Sequence, residues 1–248
     1  MLPLPDGPAP GVAADGEVEA GGKGLTGKGA RTRARILESA LELFRERGYD
    51  DATMRGIARR AGVSLGNAYY YFRSKEHLIQ GYYARSHADH LEACAPILRE
   101  ETSLEGRLRG VLRAKIETSA DYHRFAGVLF KTAADPESPL SPFSAESEPT
   151  RLEATALMAE VVDGSDLKVP EALRGELPHV LWLYLMGVIL FWIHDRSPGT
   201  VRTYRLVDAS APLVTRLIKM GRNPLVRPLT NSALALVREL RGARAGEL

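Results

Sequence analysis

Apolar residues recur at intervals of three and four along most of this 248-residue chain, beginning at Ile36 and Leu37. That spacing places them on one face of a helix, and no window alternates between apolar and polar residues as a half-buried strand does. The pattern therefore predicts an all-α protein. Helices are expected at about residues 31–47, 54–61, 65–71, 75–98, 104–121, 124–133, 150–163, 170–193, 199–220 and 229–241.

Three segments lack this period. Residues 1–29 are rich in glycine, proline and alanine, which predicts a disordered tail. Residues 135–149 hold four prolines and four serines, which predicts a long irregular connection. Residues 222–248 are expected to form a C-terminal extension with one short helix. The rest divides into a small helical domain, residues 30–76, and a larger one, residues 77–221.

The small domain contains two short helices separated by a three-residue turn, within residues 53–71. Thr53 and Ser64 stand where the two helices begin, a position that favours hydroxyl side chains because their oxygen accepts a backbone N–H bond. Gly62 permits the positive φ that a tight turn needs. These dimensions are typical of a helix-turn-helix, whose second helix enters the major groove of DNA.

Positive charge is concentrated in the same part of the chain. Residues 23–80 carry 12 Lys or Arg against 6 Asp or Glu, whereas residues 81–248 carry 21 of each. The net charge of the whole chain is only +2. A basic segment joined to a neutral body indicates a module that binds a polyanion, although a solvated basic face gives the same count.

Four consecutive aromatic residues, Tyr69 to Phe72, cannot all face one core, because successive helical residues are about 100° apart. Phe72 and Ala68 share one face and are expected to be buried. Tyr69 and Tyr70 lie away from that face, and Tyr71 is intermediate. An outward tyrosine offers a hydroxyl to a phosphate or base and a ring to a thymine methyl group.

The start of the same helix carries two further candidates. Gly66 costs about 1 kcal/mol of helix propensity relative to alanine, which makes sense where the backbone must approach a partner closely. Asn67 has the amide geometry that pairs with adenine. A local hydrogen bond at the helix start is the alternative role for Asn67.

Residues 33–83 resemble the N-terminal domain of the TetR family of bacterial transcriptional regulators. The resemblance includes the Leu-Phe-x-x-x-Gly-Tyr end of the first helix, the Ala-Gly-Val-Ser turn, the Tyr-Phe pair and the Ser-Lys-Glu segment. It implies base-reading positions at Arg55, Leu65, Gly66, Asn67 and Tyr69. Phosphate contacts are implied at Thr53, Tyr71 and Lys75, to which we add Ser64 and Tyr70; Tyr70 suits either role. The family commonly has a polar residue where Leu65 stands, so Leu65 either contacts a thymine methyl group or makes little contact.

The same resemblance implies that the larger domain binds a small molecule and forms a homodimer. The helices at residues 170–193 and 199–220 are expected to pair the two copies. Candidate pocket residues are Tyr82, Phe125, Leu129, Met158, Trp182 and Met186, with His123 or His179 as further polar groups. Ordinary core packing is the alternative for each of them. Residues 135–149 are the expected lid or rim, and the lining predicts an apolar or aromatic effector.

These features predict a sequence-specific DNA-binding regulator, a repressor that a small-molecule effector releases from a palindromic operator. A constitutive repressor or an activator without ligand is the alternative. A metal-dependent helical enzyme, with His87 and His90 as metal ligands, is a weaker hypothesis. An exposed polar helix face accounts for both histidines. No catalytic residue, metal or cofactor is predicted.

Two further observations bear on location. Cys94 is the single cysteine, so an intramolecular disulfide is excluded. The apolar run at residues 180–193 spans about 21 Å as a helix against a hydrocarbon core of about 30 Å, and the N-terminus lacks the pattern of a signal peptide. The sequence therefore predicts a cytoplasmic protein.

Overall fold

The computed structural model describes residues 27–168 and 171–221, together with residues 232 and 235, and its regular elements are all helices. They are α1 (Gly27–Arg47), α2 (Met54–Arg60), α3 (Leu65–Tyr71), α4 (Lys75–Glu100), α5 (Leu104–Ser119), α6 (His123–Ala133), α7 (Glu148–Asp163), α8 (Glu171–Arg174), α9 (Leu177–His194) and α10 (Val201–Met220), with short 3-10 helices at Ala120–Tyr122 and Pro198–Thr200. The all-α prediction is confirmed for this part of the chain. Of the helix predicted at 229–241, only residues 232 and 235 are described, and residues 1–26 of the predicted tail lie outside the described residues.

The helix starts follow local hydrogen-bond chemistry. The hydroxyl oxygens of Thr53 and Ser64 accept from the backbone N–H groups of Gly56 and Asn67, each at 3.1 Å. Each such cap contributes about 1 kcal/mol, which is a large share for a helix of seven residues. The caps predicted from the sequence are confirmed.

Gly48 and Gly62 adopt the left-handed backbone that the N-terminal domain needs between its helices. Gly48 has φ +84° and ends α1, where its N–H donates to the carbonyl of Phe44 at 3.0 Å. Gly62 has φ +62° and makes the turn between α2 and α3. A side chain at either position would be strained.

Two boundaries differ from the sequence prediction. Helix α1 begins at Gly27, so residues 27–29 of the predicted tail are helical; the hydroxyl of Thr32 donates to the carbonyl of Lys28 at 3.0 Å within this turn. The single helix predicted at 170–193 is two helices, α8 and α9. Gly175 lies in the break, and Pro178 follows in the first turn of α9, where its missing N–H is not needed.

The core consists of two apolar clusters. The first joins α1, α2 and α3 to the start of α4, and it also takes in Phe125 and Leu129 from α6. The rings of Phe44 and Phe125 are stacked there, with centroids 5.4 Å apart. The second cluster lies among the remaining helices of the body. Helix α6 therefore joins the small N-terminal domain to the larger one.

The irregular segment between α6 and α7 is packed against both clusters. Leu140 is fully buried in the first cluster, and the side-chain amide of Gln80 donates to the carbonyl of Pro139 at 2.6 Å. The ring of Phe143 meets that of Trp182 edge-on, with centroids 5.4 Å apart. This segment consequently covers the side of the body on which Trp182 lies.

Several buried polar residues lie in the middle of α4. His87 and His90 are 5% and 1% exposed, so an exposed polar face is the wrong interpretation of the two histidines. His90 Nε2 lies 2.9 Å from the carbonyl of Val111, and Lys115 Nζ donates to Ser86 Oγ at 3.1 Å. Burial lowers the pKa of His90 to about 4 and that of Lys115 to about 8. Both histidines belong to the interior of the fold.

The buried His90 makes stability depend on pH. Its ordinary pKa is about 6.5, so between about pH 4 and 6.5 the unfolded chain binds this proton more readily than the folded one. The free energy of unfolding should therefore fall by about 2 kcal/mol from this residue between pH 7 and pH 5.

Urea unfolding of the wild type and His90→Gln at the two pH values measures this effect. The variant keeps a side-chain N–H but does not titrate, so it should lose about 2 kcal/mol less than the wild type on acidification. Equal losses in the two proteins would contradict the assignment to His90.

Candidate nucleic-acid interface

Helix α3 presents two different faces. Ala68 and Phe72 are buried in the first cluster, as the helical spacing predicts. Gly66, Asn67 and Tyr69 are exposed on the other side. Four of the five predicted base-reading residues, including the half-buried Leu65, belong to this short helix, and the fifth is the exposed Arg55 of α2. These side chains are accessible to a large partner.

Gly66 has no packing reason to be a glycine. A Cβ added at this position would meet nothing within 4 Å, and its backbone is not in the left-handed region. Since alanine favours a helix by about 1 kcal/mol, the fold alone would prefer alanine here. The open space in front of the Gly66 backbone is consistent with close approach by a partner.

The side chain of Asn67 does not cap its own helix. The hydrogen bond at the helix start uses the backbone N–H of Asn67, which donates to Ser64 Oγ, and the Asn67 side chain is exposed. Its amide therefore remains available as a donor and an acceptor for a base edge.

The three tyrosines differ in exposure. Tyr69 is 46% exposed and Tyr70 is 76% exposed, whereas Tyr71 is half-buried against the first cluster. The rings of Tyr70 and Tyr71 meet edge-on, with centroids 5.1 Å apart. This agrees with the division expected from the helical turn, including the intermediate position of Tyr71.

The predicted phosphate residues Thr53 and Ser64 both cap a helix with their hydroxyl oxygen. Because the oxygen accepts the backbone N–H, the hydroxyl hydrogen can still be donated to a phosphate. Both residues are exposed, at the starts of neighbouring helices.

Lys75 is more engaged within the chain than the sequence indicates. Its ammonium donates to the carbonyl of Tyr49 at 2.8 Å and to that of Asp50 at 3.3 Å, and it lies 4.4 Å from the centre of the Tyr49 ring. An ammonium has three N–H donors, so one of them remains for a phosphate.

The structure adds two arginines that were not predicted from the sequence. Arg47 and Arg59 join Arg55, Thr53 and Gly56 around a shallow cavity of about 120 Å³ between α1 and α2. The four-residue spacing of Arg55 and Arg59 on α2 is the sequence signal that identifies the pair as neighbours. The lining also includes Asp51, so three arginines and one carboxylate leave a net positive charge beside the predicted phosphate contacts.

Arg60, next along α2, has a structural role instead. Its guanidinium makes two hydrogen bonds to the carboxylate of Glu46 on α1, at 2.8 and 2.6 Å, and it lies 3.7 Å from Glu42. The bond to Arg60 lowers the pKa of Glu46. This pair fixes α2 on α1, and thereby the position of the turn that follows.

Comparison with known families accounts for both domains. Residues 36–82 match the family model described as bacterial regulatory proteins, tetR family. Residues 107–236, more than half of the chain, match the model described as tetracyclin repressor-like, C-terminal domain. The chain belongs to the TetR family.

Curated TetR-type relatives match over the N-terminal part. The transcriptional regulator SrpR of Pseudomonas putida is 40% identical over 84 residues, 34% of this chain and 39% of SrpR. The uncharacterized regulator TtgW, also from Pseudomonas putida, is 40% identical over 84 residues, 34% of this chain and 62% of TtgW. The matched part thus spans less than two thirds of either relative.

Solved structures share the fold of the TetR-family chain over most of its length. A putative TetR-family regulator from Syntrophomonas wolfei is 19% identical with a TM-score of 0.59, and it covers 75% of this chain and 95% of its own. FadR from Thermus thermophilus, in complex with lauroyl-CoA, is 23% identical with a TM-score of 0.51, over 71% and 92% of the two chains. At these identities the likeness concerns the fold alone.

The predicted pocket residues of this TetR-family protein are divided between the two clusters. Tyr82, Phe125 and Leu129 are buried in the first, while Met158 and Trp182 are buried in the second. Met186 is half-buried and packs against the second cluster, and His179 stacks on Trp182 with ring centroids 5.5 Å apart. The six residues are thus divided between two packed cores, and their pocket role stays a prediction.

Helices α9 and α10 expose many apolar side chains. They are Val180, Leu183, Leu190 and Phe191 on α9, and Val201, Leu213, Leu217 and Met220 on α10. Gly187 is exposed in the middle of the α9 set, with open space in front of it. Spacings of three and four place most of these residues in a stripe along each helix. Exposed apolar surface of this extent indicates an interaction site.

Helix α9 is also the one described helix that is long and apolar enough to cross a membrane by length and composition. The 14-residue run considered in the sequence is thus part of an 18-residue helix, of which a third is buried within the chain. Core helices of soluble proteins also pass this test of length and composition.

Proposed function

We propose that this TetR-family protein is a transcriptional regulator that binds a palindromic DNA operator as a homodimer and represses transcription. The observation that carries the proposal is the two-sided character of α3. Ala68 and Phe72 fix the helix in the core, which leaves Asn67, Tyr69 and the open backbone of Gly66 on the outside. A helix held in this way fits the major groove.

The contacts divide into two classes. Arg55, Leu65, Gly66, Asn67 and Tyr69 form the proposed base-reading set, while Thr53, Ser64, Tyr70, Tyr71 and Lys75 form the proposed phosphate set. Arginine suits guanine, asparagine suits adenine, and Leu65 suits a thymine methyl group. The neighbouring Arg47 and Arg59 strengthen attraction to the DNA backbone without adding sequence preference.

The homodimer forms through the exposed stripes of α9 and α10. One helix-turn-helix reads few base pairs, and a twofold pair solves this by reading two half-sites about 34–36 Å apart. The open space at Gly187 permits a partner helix to approach closely. We expect the assembled regulator to reside in the cytoplasm, with α9 buried between the two copies.

A small-molecule effector releases the repressor in this proposal. The FadR structures from Thermus thermophilus and Bacillus subtilis hold lauroyl-CoA and stearoyl-CoA, which supports ligand binding as a use of this fold. Shifting the DNA-competent population from 99:1 to 1:99 takes about 5.5 kcal/mol of differential affinity. A constitutive repressor or an activator keeps the DNA contacts without this step, and operator affinity in the presence of candidate effectors separates them.

Substitutions of Asn67 and Tyr70 test the proposed base-reading set and the proposed phosphate set. Fluorescence anisotropy with an operator selected from random-sequence DNA gives the affinities. Asn67→Ala should lose about 1–3 kcal/mol on the operator and much less on unrelated DNA, because a base contact is removed. Tyr70→Phe should weaken both DNAs alike, by about 1 kcal/mol, since only a hydroxyl is removed. Undiminished sequence preference in Asn67→Ala would overturn its base-reading role.

A substitution of Gly66 tests whether DNA approaches its backbone closely, and it separates that effect from an effect on folding. Gly66→Ala should keep or raise the free energy of unfolding, by up to about 1 kcal/mol, because the helix gains propensity and the Cβ meets open space. Operator affinity should nevertheless fall at least tenfold as the new methyl group meets the DNA. Affinity equal to that of the wild type would show that the Gly66 backbone does not approach DNA.

The dimer interface is tested with a matched pair of leucines. Leu217 on α10 is 66% exposed and Leu152 on α7 is 62% exposed, but only Leu217 belongs to the apolar stripe. Leu217→Glu should shift the protein towards monomer in analytical ultracentrifugation, whereas Leu152→Glu should leave the dimer unchanged. A wild-type monomer at micromolar concentration, or equal effects of the two changes, would contradict the interface.

A further inference from the structure

The connection between α6 and α7 contains a short sequence repeat. Residues 138–144, here called the strap, read Ser-Pro-Leu-Ser-Pro-Phe-Ser, so an apolar residue follows each Ser-Pro pair. The hydroxyl oxygens of Ser138 and Ser141 accept from the backbone N–H groups of Leu140 and Phe143, at 3.2 and 3.3 Å. The backbone N–H groups of Ser141 and Ser144 donate to the carbonyls three residues before them, both at 3.0 Å. Each Ser-Pro unit therefore forms a tight turn, in which proline fixes one φ angle.

The strap presents its two apolar side chains to different parts of the molecule. Leu140 is fully buried in the first cluster, together with the core residues of α1, α2 and α3. Three residues later, the ring of Phe143 meets that of Trp182 edge-on, with centroids 5.4 Å apart. Trp182 belongs to α9 and is buried in the second cluster. The strap thus connects the core of the N-terminal domain to α9 through four residues of chain.

Hydrogen bonds from two helices hold the strap in place. The side-chain amide of Gln80 on α4 donates to the carbonyl of Pro139 at 2.6 Å. The guanidinium of Arg151 on α7 donates to the carbonyls of Pro142 and Ser144, at 2.8 and 3.1 Å. A segment held at several points and packed at both ends passes a displacement from one end to the other, whereas a loose loop absorbs it.

The distance between α9 and the N-terminal domain has a direct consequence in the proposed dimer. Helix α9 lies at the twofold axis there, and α3 reads the half-site. One extra base pair between the half-sites moves them apart by about 3.4 Å and turns one against the other by about 34°. A dimer that distinguishes such operators must hold α3 at a fixed position relative to α9.

We propose that Leu140 and Phe143 are positioning residues, through which the strap fixes the N-terminal domain relative to α9 and so sets the half-site spacing that the dimer accepts. The inference rests on the proposed function, binding of a palindromic operator by a homodimer. Both residues act through the position of α3 and touch no DNA themselves. Without the contact to α9, helix α4 and the stacked rings of Phe44 and Phe125 still join the domains. The N-terminal domain then keeps its fold but varies more widely in position.

A series of operators that differ by one base pair in the central spacer measures this effect. The readout is the ratio of the affinities for the selected spacing and for the spacing longer by one base pair, from fluorescence anisotropy. Phe143→Ala removes the ring contact with α9 and leaves Leu140 in place, so this ratio should fall by about threefold or more. A loss of folded or dimeric protein lowers both affinities alike and leaves the ratio unchanged. Phe143→Tyr keeps the ring and should keep the wild-type ratio.

Two further variants separate the strap from its surroundings. Gln80→Glu has nearly the same shape, but its carboxylate cannot donate to the carbonyl of Pro139, so it should lower the ratio as Phe143→Ala does. Leu152→Ala removes an exposed apolar side chain from α7, close to the strap in sequence, and should leave the ratio at the wild-type value.

The possible results distinguish this inference from the function on which it rests. Equal ratios in the wild type and Phe143→Ala would overturn the inference alone, and so would a fall in Phe143→Tyr or Leu152→Ala as large as that in Phe143→Ala. A wild type that binds palindromic DNA without preferring one spacing would also overturn it. A wild type that binds no DNA would instead refute the proposed function, and the inference with it.

Discussion

Burial of one face of α3 is the interaction on which the rest of the site depends. A helix of seven residues gains too little from its own hydrogen bonds to persist alone. Ala68 and Phe72 anchor it to Ile57 and the rest of the first cluster, and the Ser64 hydroxyl caps its start. Because the anchor takes up one side only, the other side is free to carry chemistry. The proposed base-reading side chains are therefore exposed ones, separate from those that hold the helix in the core.

The second feature of the architecture is the bridging role of α6. Its Phe125 stacks on Phe44 in the core of the N-terminal domain, while His123 at its start bonds to the backbone of α9. The segment after α6 adds Leu140 to the same core. The N-terminal domain thus packs on an element that also contacts the proposed dimer helix. A change at α9 has a short physical route to the helix-turn-helix.

Much of the N-terminal domain was predictable from the sequence because it depends on local chemistry. Helix caps, the left-handed turn at Gly62 and the division of the tyrosines all depend on residues within a few positions of one another. The engagement of Lys75 by the carbonyls of Tyr49 and Asp50 was not predictable in this way, because those partners lie about 25 residues away. Burial of His90 likewise depends on how α5 packs against α4.

The same distinction between local and tertiary causes applies to the predicted pocket residues. Apolar and aromatic residues at helical spacing indicate burial, and Tyr82, Phe125 and Met158 are indeed buried, but the pattern does not separate a core from a cavity wall. A cavity of about 340 Å³, lined by His123, Trp192 and Tyr204 among others, is created where helix ends meet, a tertiary arrangement without a periodic signal. The indole N–H of Trp192, unpaired among the described residues, and the positive φ of Thr200 become visible only in the folded chain.

The most direct measurement of the central claim is selection of genomic DNA fragments by the purified protein, followed by sequencing. The two-sided α3 in a twofold dimer predicts that enriched fragments share an inverted repeat, with half-site centres one helical turn of about 10 base pairs, or a multiple of it, apart. Recovery of fragments without a shared inverted repeat, or no enrichment over the input DNA, would contradict the account.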